Sequence, residues 1–256
     1  GRIQALQPIS RGVKPICLQK GNDWDISLLL PFGDQMISAL RRCRGLPNRA
    51  SAVLRVVHHG GAVLIGADAP LGSWERLAHV ETPESKQLSA EVFRIPHHGG
   101  SIREGKKLLE RSELYQRVSA KIAVCSVGTQ NPYGHPHEDH LRDACRGGAC
   151  RLLCTELNST CHKDPLSLRD KMLEKASGIV YPLRQLAAPG DGYLTRRGKL
   201  SVPCAGTILA EIDEKGHVAV SPSKGGWHDE MVALFDSPIC REHLEKRQAS
   251  SQRLGT

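Results

Sequence analysis

The chain has 256 residues, 35 Lys and Arg against 27 Asp and Glu for a formal charge of +8, and 39% hydrophobic residues. That is room for one large domain, or one domain with an appendage, around an ordinary aliphatic core. No run approaches the ~20 apolar residues needed to cross a bilayer, and the opening GRIQALQPIS lacks the apolar stretch of a secretory signal, so a soluble cytoplasmic protein with no membrane partner is expected.

In chain order, residues 1–47 are poorly periodic, with a strand expected over Ile26–Pro31 and a short amphipathic helix over Gln35–Arg44. The aliphatic runs Ser51–Val57 and Ala62–Gly66, joined by His58-His-Gly-Gly61, predict a β-hairpin. A helix follows near Trp74–His79. Ala90–Ile95 is a strand stopped by Pro96, and Arg103–Val118 has the charge pattern of an exposed helix. Ala120–Val127 predicts a buried strand, His137–Cys145 a helix with Glu138 and Asp139 where the dipole favours them, and Cys150–Thr155 another strand. Residues 156–200, rich in Pro, are expected to form an insertion or connector. A second hairpin spans Gly206–Ile212 and His217–Val220, and a helix over Pro238–Lys246 precedes a polar tail. Strands alternating with helices imply an α/β fold with a sheet covered on at least one face.

Three loops that follow three apolar strands each offer a metal-type ligand: Asp68, the pair His97 and His98, and His135. Ligands at the C-terminal ends of neighbouring strands converge on one crevice, and a carboxylate with imidazoles suits Zn²⁺, Mn²⁺ or Fe. Taken singly, each is an ordinary turn or surface residue; order and context raise them together. The basic surplus adds attraction for polyanions, nucleic acid above all, without sequence preference. Nine cysteines, an odd number, suggest a reducing compartment. Cys125 lies in an apolar run and belongs to the core. Cys154, Cys161, His162, Cys204 and Cys240 form a candidate structural zinc set, but their spacing fits no compact ligand pair, and buried free thiols are the simpler reading.

Four blocks in order, the strand led by Asn48-Arg-Ala-Ser51, Leu64-Ile-Gly-Ala-Asp68, Val92-Phe-Arg-Ile-Pro-His97-His98-Gly-Gly-Ser101 and Asn131-Pro-Tyr-Gly-His135-Pro, resemble the latter part of ComEC-like metallo-β-lactamase domains over roughly residues 46 to 155. The resemblance implies the C-terminal half of an αββα sandwich: a lead-in at 1–47, a core half at 48–160, then connector, hairpin and C-terminal helix at 161–256. It implies a hydrolase with two divalent ions, Zn or Mn, in which Asp68 bridges the metals and His97 or His98 is the next ligand, His97 being the first choice. Asn131 and His135 would line the substrate side, or His135 would stabilise the leaving group. Two departures stand out. Gly66-Ala67 replaces the family's Thr-Gly, and the first-half motif His-x-His-x-Asp-His is missing, since residues 1–47 hold no histidine. Asn48 and Ser51 stand where many relatives carry a further histidine.

The resemblance therefore implies that part of the ligand shell comes from a complementary N-terminal half, separate or cleaved off; a regulatory protein or a protease is a further expected partner, though not one that the resemblance implies. His135-Pro-His137-Glu-Asp139-His140 spells the missing motif letter for letter. Its first residues belong to the Gly-His-Pro loop and the rest to a helix start, so coincidence is the stronger reading; His58 and His59 are read as turn residues. The expected activity is phosphodiester hydrolysis of DNA or RNA. The alternatives are a degenerate module that binds nucleic acid or protein without catalysis, and a hydrolase of another ester class.

Overall fold

The computed structural model describes residues 16–31, 47–80, 87–102, 109–165 and 204–222, with positions 228, 232 and 239–240. The helices expected at 35–44 and, almost entirely, at 238–246, and most of the 156–200 insertion, lie outside these residues.

Seven strands form one mixed sheet in strict chain order. They are β1 (Ile16–Lys20), β2 (Trp24–Leu30), β3 (Val53–His58), β4 (Gly61–Ile65), β5 (Val92–Arg94), β6 (Ile122–Cys125) and β7 (Arg151–Cys154). The first four pair antiparallel as a meander, and β4 to β7 pair parallel. Parallel neighbours need crossovers, and each of the three contains a helix: α1 (Leu71–Val80), α2 (Arg111–Val118) and α3 (Glu138–Arg146).

Strand alternation assigns the two faces. Leu64, Phe93, Ala123 and Leu152 share a core with Trp74 and Leu77 of α1, Leu114 and Tyr115 of α2 and Leu141 of α3, which covers one face with helices. Phe93 sits edge-on between Trp74 and Tyr115, at centroid distances of 5.9 and 5.6 Å. On the opposite face, Val63, Val92, Ile122, Val124 and Leu153 pack against the hairpin of β8 (Ile208–Ile212) and β9 (Val218–Pro222). Arg151 clasps this hairpin by donating from Nη1 to the Val220 carbonyl (3.2 Å).

Beyond the hairpin, this face carries a half-buried apolar row of Ile26, Leu28, Leu54, Val56 and Ile65. Part of the row borders an open groove of about 440 Å³ with Trp24, Ala210 and Ile212. No helix among the described residues is long and apolar enough to cross a membrane.

The repeated His-His-Gly-Gly has two different fates. At 58–61 it turns β3 into β4 and packs on the second hairpin, His58 Nδ1 donating to the Ile212 carbonyl (3.2 Å). That is the end of β4 remote from Asp68, in keeping with the reading of His58 and His59 as turn residues. At 97–100 it forms a tight turn at the C-terminal end of β5.

Candidate metal centre

Asp68, His97, His98, Asn131 and His135 all follow the C-terminal ends of the parallel strands β4, β5 and β6, where an open sheet leaves a crevice. The loop with Asn48 and Ser51 reaches the same edge, because β3 runs antiparallel to β4 and pairs Leu54 with Ile65. Backbone bonds stitch the first two loops together. The Gly66 N–H donates to Arg94 O (3.0 Å), and the His97 N–H donates to Ala67 O (2.7 Å). Asp68 is thereby fixed beside the histidine turn.

That turn places two consecutive residues in the left-handed region, His97 at φ 50° and His98 at φ 54°. His98 is the one that faces Asp68, with Nε2 3.6 Å from Oδ1 and both side chains about 40% exposed. His97 turns toward His135, with ring centroids 5.4 Å apart. Both histidines are anchored through Nδ1: His97 to the Ser101 carbonyl (2.8 Å) and His98 to the Ser126 carbonyl (2.5 Å). A carbonyl only accepts, so each Nδ1 carries the proton and each Nε2 offers a lone pair. This is the tautomer, held by a hydrogen bond from the far ring nitrogen, that metal-bound histidines use.

Asn131 is fully engaged within its own loop. Its Oδ1 accepts from the Tyr133 and His135 N–H groups (both 3.1 Å), and its Nδ2 donates to His135 O (2.5 Å). The side chain acts as a clamp on the turn that presents His135. The His135 ring lies over Gly100, where a Cβ would stand 2.2 Å from its Nε2. Burial, then the fields of His97, His137 and His98, lower the pKa of His135, and Asp68 acts the other way.

The His135–His140 segment does not assemble as a ligand set. His140 is fully buried, and its Nδ1 bonds the Tyr115 hydroxyl (2.9 Å). Asp139 pairs with Arg111 (3.8 Å), and Glu138 pairs with Arg142 along α3. Burial, then the Arg111 charge, pushes the His140 pKa down to about 3. Among the described residues, no group of three or more His, Cys, Asp or Glu stands ready to hold a metal ion.

No family model, curated protein or solved structure matches the chain.

The geometry of the site contains two features the sequence did not single out. Gly99 and Gly100 let the His135 loop dock on the histidine turn, and the His137 N–H seals the contact by donating to Gly99 O (2.8 Å). Ser126 and Ser101 supply the anchoring carbonyls, which are backbone roles and so leave no signal in residue type.

Proposed function

We propose that this protein is a metal-dependent hydrolase of phosphodiesters, with DNA or RNA as substrate, built as the C-terminal half of a metallo-β-lactamase sandwich. The facing of Asp68 and His98 carries the reading. A carboxylate oxygen and an imidazole lone pair are both acceptors, and at 3.6 Å, with both side chains about 40% exposed, they suit a shared cation, a proton or a bridging water. Two ligands each about 2.1 Å from one tetrahedral ion stand roughly 3.4 Å apart, close to the separation here. The donor set therefore fits part of one ion's shell, and Asp68 and His98 would hold it. When bound, such an ion supplies Lewis-acid activation of water and of the phosphoryl group.

This chain's own residues contribute the rest of the design. The carbonyls of Ser101 and Ser126 hold the imidazoles in the ligating tautomer. Asn131 clamps the turn that presents His135 at the same edge, where a largely neutral imidazole suits accepting a proton from an attacking water. The remaining ligands are assigned to a complementary N-terminal half. The half-buried row of Ile26, Leu28, Leu54, Val56 and Ile65 supports such a partner, because a sandwich buries that face of its sheet.

The test uses the protein isolated from its native host with whatever co-purifies. It is assayed with Mn²⁺ or Zn²⁺ on single- and double-stranded DNA, on RNA and on bis(p-nitrophenyl) phosphate. Hydrolysis is expected, and Asp68→Ala or His98→Ala should lower it by on the order of 10²-fold or more; Asp68→Ala should leave the melting temperature unchanged, whereas His98→Ala, which removes the tie to the Ser126 carbonyl, should lower it by a few degrees. Turnover of lactones or thioesters alone would move the substrate class, and no turnover of any ester would overturn the enzyme. The second reading, a module that binds without cutting, draws on the absence of a ready ligand triad among the described residues. It expects nucleic-acid binding that Asp68→Ala leaves intact, with no cleavage.

A further inference from the structure

The loop between β6 and α3 carries one aromatic residue that plays no part in the reading above. Tyr133 is 76% exposed, and Pro132 and Gly134 on either side of it are exposed as well. An exposed tyrosine is ordinary on its own, since much of any protein surface is apolar. This one stands on a loop pinned at both its base and its tip. At the base, the Val127 N–H donates to the Thr155 hydroxyl (2.8 Å), which donates back to the Val127 carbonyl (2.7 Å). The Thr129 N–H donates to Glu156 Oε2 (2.6 Å). At the tip, Asn131 Oδ1 accepts from the Tyr133 and His135 N–H groups, and the Asn131 carbonyl accepts from the Gly134 N–H (3.3 Å).

This double anchorage fixes where the ring stands. Its centroid is 5.7 Å from that of His135 with the planes tilted by 30°, an offset contact that leaves most of the tyrosine ring open. His135 in turn stands 5.4 Å from His97. Three rings therefore run in file from the tip of the loop to the histidine turn. The same loop begins at Ser126, whose carbonyl anchors His98. Gly134, at φ 65°, has nothing within 4 Å of the place a Cβ would occupy, so the space beside the platform is open too.

A flat ring held in water on a fixed loop suits a flat partner that brings a π-face of its own. The carboxylate and imidazole beyond the histidine file, together with the formal charge of +8, single out a polyanion with such faces, which is nucleic acid. Bases in a duplex already stack on their neighbours, and freeing one costs energy. A single strand offers its bases without that cost.

We propose that Tyr133 is a stacking platform for a base of single-stranded DNA or RNA, seating the strand so that a nearby phosphate reaches Asp68 and His98. The placement of that phosphate rests on the phosphodiesterase reading of the crevice, which the platform narrows to single strands. The ring supplies affinity without sequence choice, because every base has a face to offer.

Binding measured without turnover separates the platform from the chemistry. The full chain is titrated in EDTA, by fluorescence anisotropy, into a labelled oligo(dT) of about twelve nucleotides, within the footprint of one single-strand-binding module. An abasic strand of equal length and an oligo(dT)·oligo(dA) duplex are titrated alongside. Tyr133→Ala should weaken oligo(dT) binding by about fivefold or more, whereas Tyr133→Phe, which keeps the ring face, stays within about twofold of the unaltered protein. The abasic strand and the duplex should not distinguish Tyr133→Ala from the unaltered protein. Unchanged oligo(dT) affinity in Tyr133→Ala would overturn the platform, as would an equal loss in Tyr133→Phe or an equal loss on the abasic strand or duplex. Failure of the unaltered protein to bind oligo(dT) would do the same. Mn²⁺ or Zn²⁺ is then added. A strand bound through Tyr133 but left uncut removes the hydrolase and keeps the platform, while a strand cut with affinity indifferent to Tyr133→Ala removes the platform and keeps the hydrolase.

Discussion

His97 and His98 occupy backbone conformations that side-chain-bearing residues rarely adopt, at a cost of order 1 kcal/mol or more each. The turn tolerates this because it is tied from outside, by the His97 N–H to Ala67 and by both Nδ1 atoms to carbonyls. Sequence could nominate the pair but not choose between its members. Two left-handed steps rotate His98, rather than the first-choice His97, toward Asp68, and no periodicity encodes that. Gly100 is the tightest point of the site. Gly100→Ala would place a Cβ against the His135 ring, so any hydrolysis should fall at least tenfold, while the melting temperature, read by calorimetry, drops by only a few degrees. His140 gives a separate prediction on stability. Its folded pKa of about 3 lies below the ~6.5 of an unfolded chain, so its contribution is full above pH 6.5 and is lost as pH falls toward 3. The loss approaches about 1.4 kcal/mol per pH unit within that window. In His140→Gln, urea denaturation at pH 7.5 and 4.5 should show a markedly smaller difference than in the unaltered protein. An equal difference in both would remove His140 as the cause.

At the scale of elements, the hairpin 53–65, the strands β5, β6, β7 and the pair β8–β9 were all legible, because their aliphatic runs are bounded by Gly, Pro or charged turns. β1 was not. Of Ile16-Cys-Leu-Gln-Lys only Ile16 is even half-buried, so this edge strand owes its existence to pairing with β2 rather than to a pattern of its own. α1 begins at Leu71, earlier than Trp74, because Pro70 and Gly72 look like loop residues; a proline just before the first helical turn forfeits no helical hydrogen bond. The arrangement of the crevice was legible as three strand ends, but its supporting carbonyls were not. β8 offers a test of which sheet face is sealed. Ile208 is half-buried and packs against the apolar cluster on this sheet face, whereas Leu209 is 52% exposed. Ile208→Asp places a carboxylate against the apolar sheet face at a half-buried position and should cost about 1–2 kcal/mol in denaturant titrations, against about 0.5 kcal/mol or less for Leu209→Asp. Similar losses at both positions would contradict the packing of the hairpin on the sheet.

For the whole molecule, the formal charge of +8 sets the expected behaviour toward polyanions. Affinity for a single-stranded oligonucleotide, followed by fluorescence anisotropy, should fall at least tenfold between 50 and 200 mM salt, as counterion release requires for several phosphate contacts. Binding indifferent to salt would separate the charge from any role with nucleic acid. The strict chain order of the seven strands has another consequence, for the history of the molecule rather than its chemistry. Each strand finds its partner in the one synthesised just before it, so nothing has to wait for a distant piece of the polypeptide to emerge. Loop closure is cheap in the β1–β4 meander and dearer at each later step, where an entire helical crossover must be spanned. Amide protection in a pulse-labelled refolding chain should therefore arrive first in β2, β3 and β4 and last at β7, advancing across the sheet like a row of stitches.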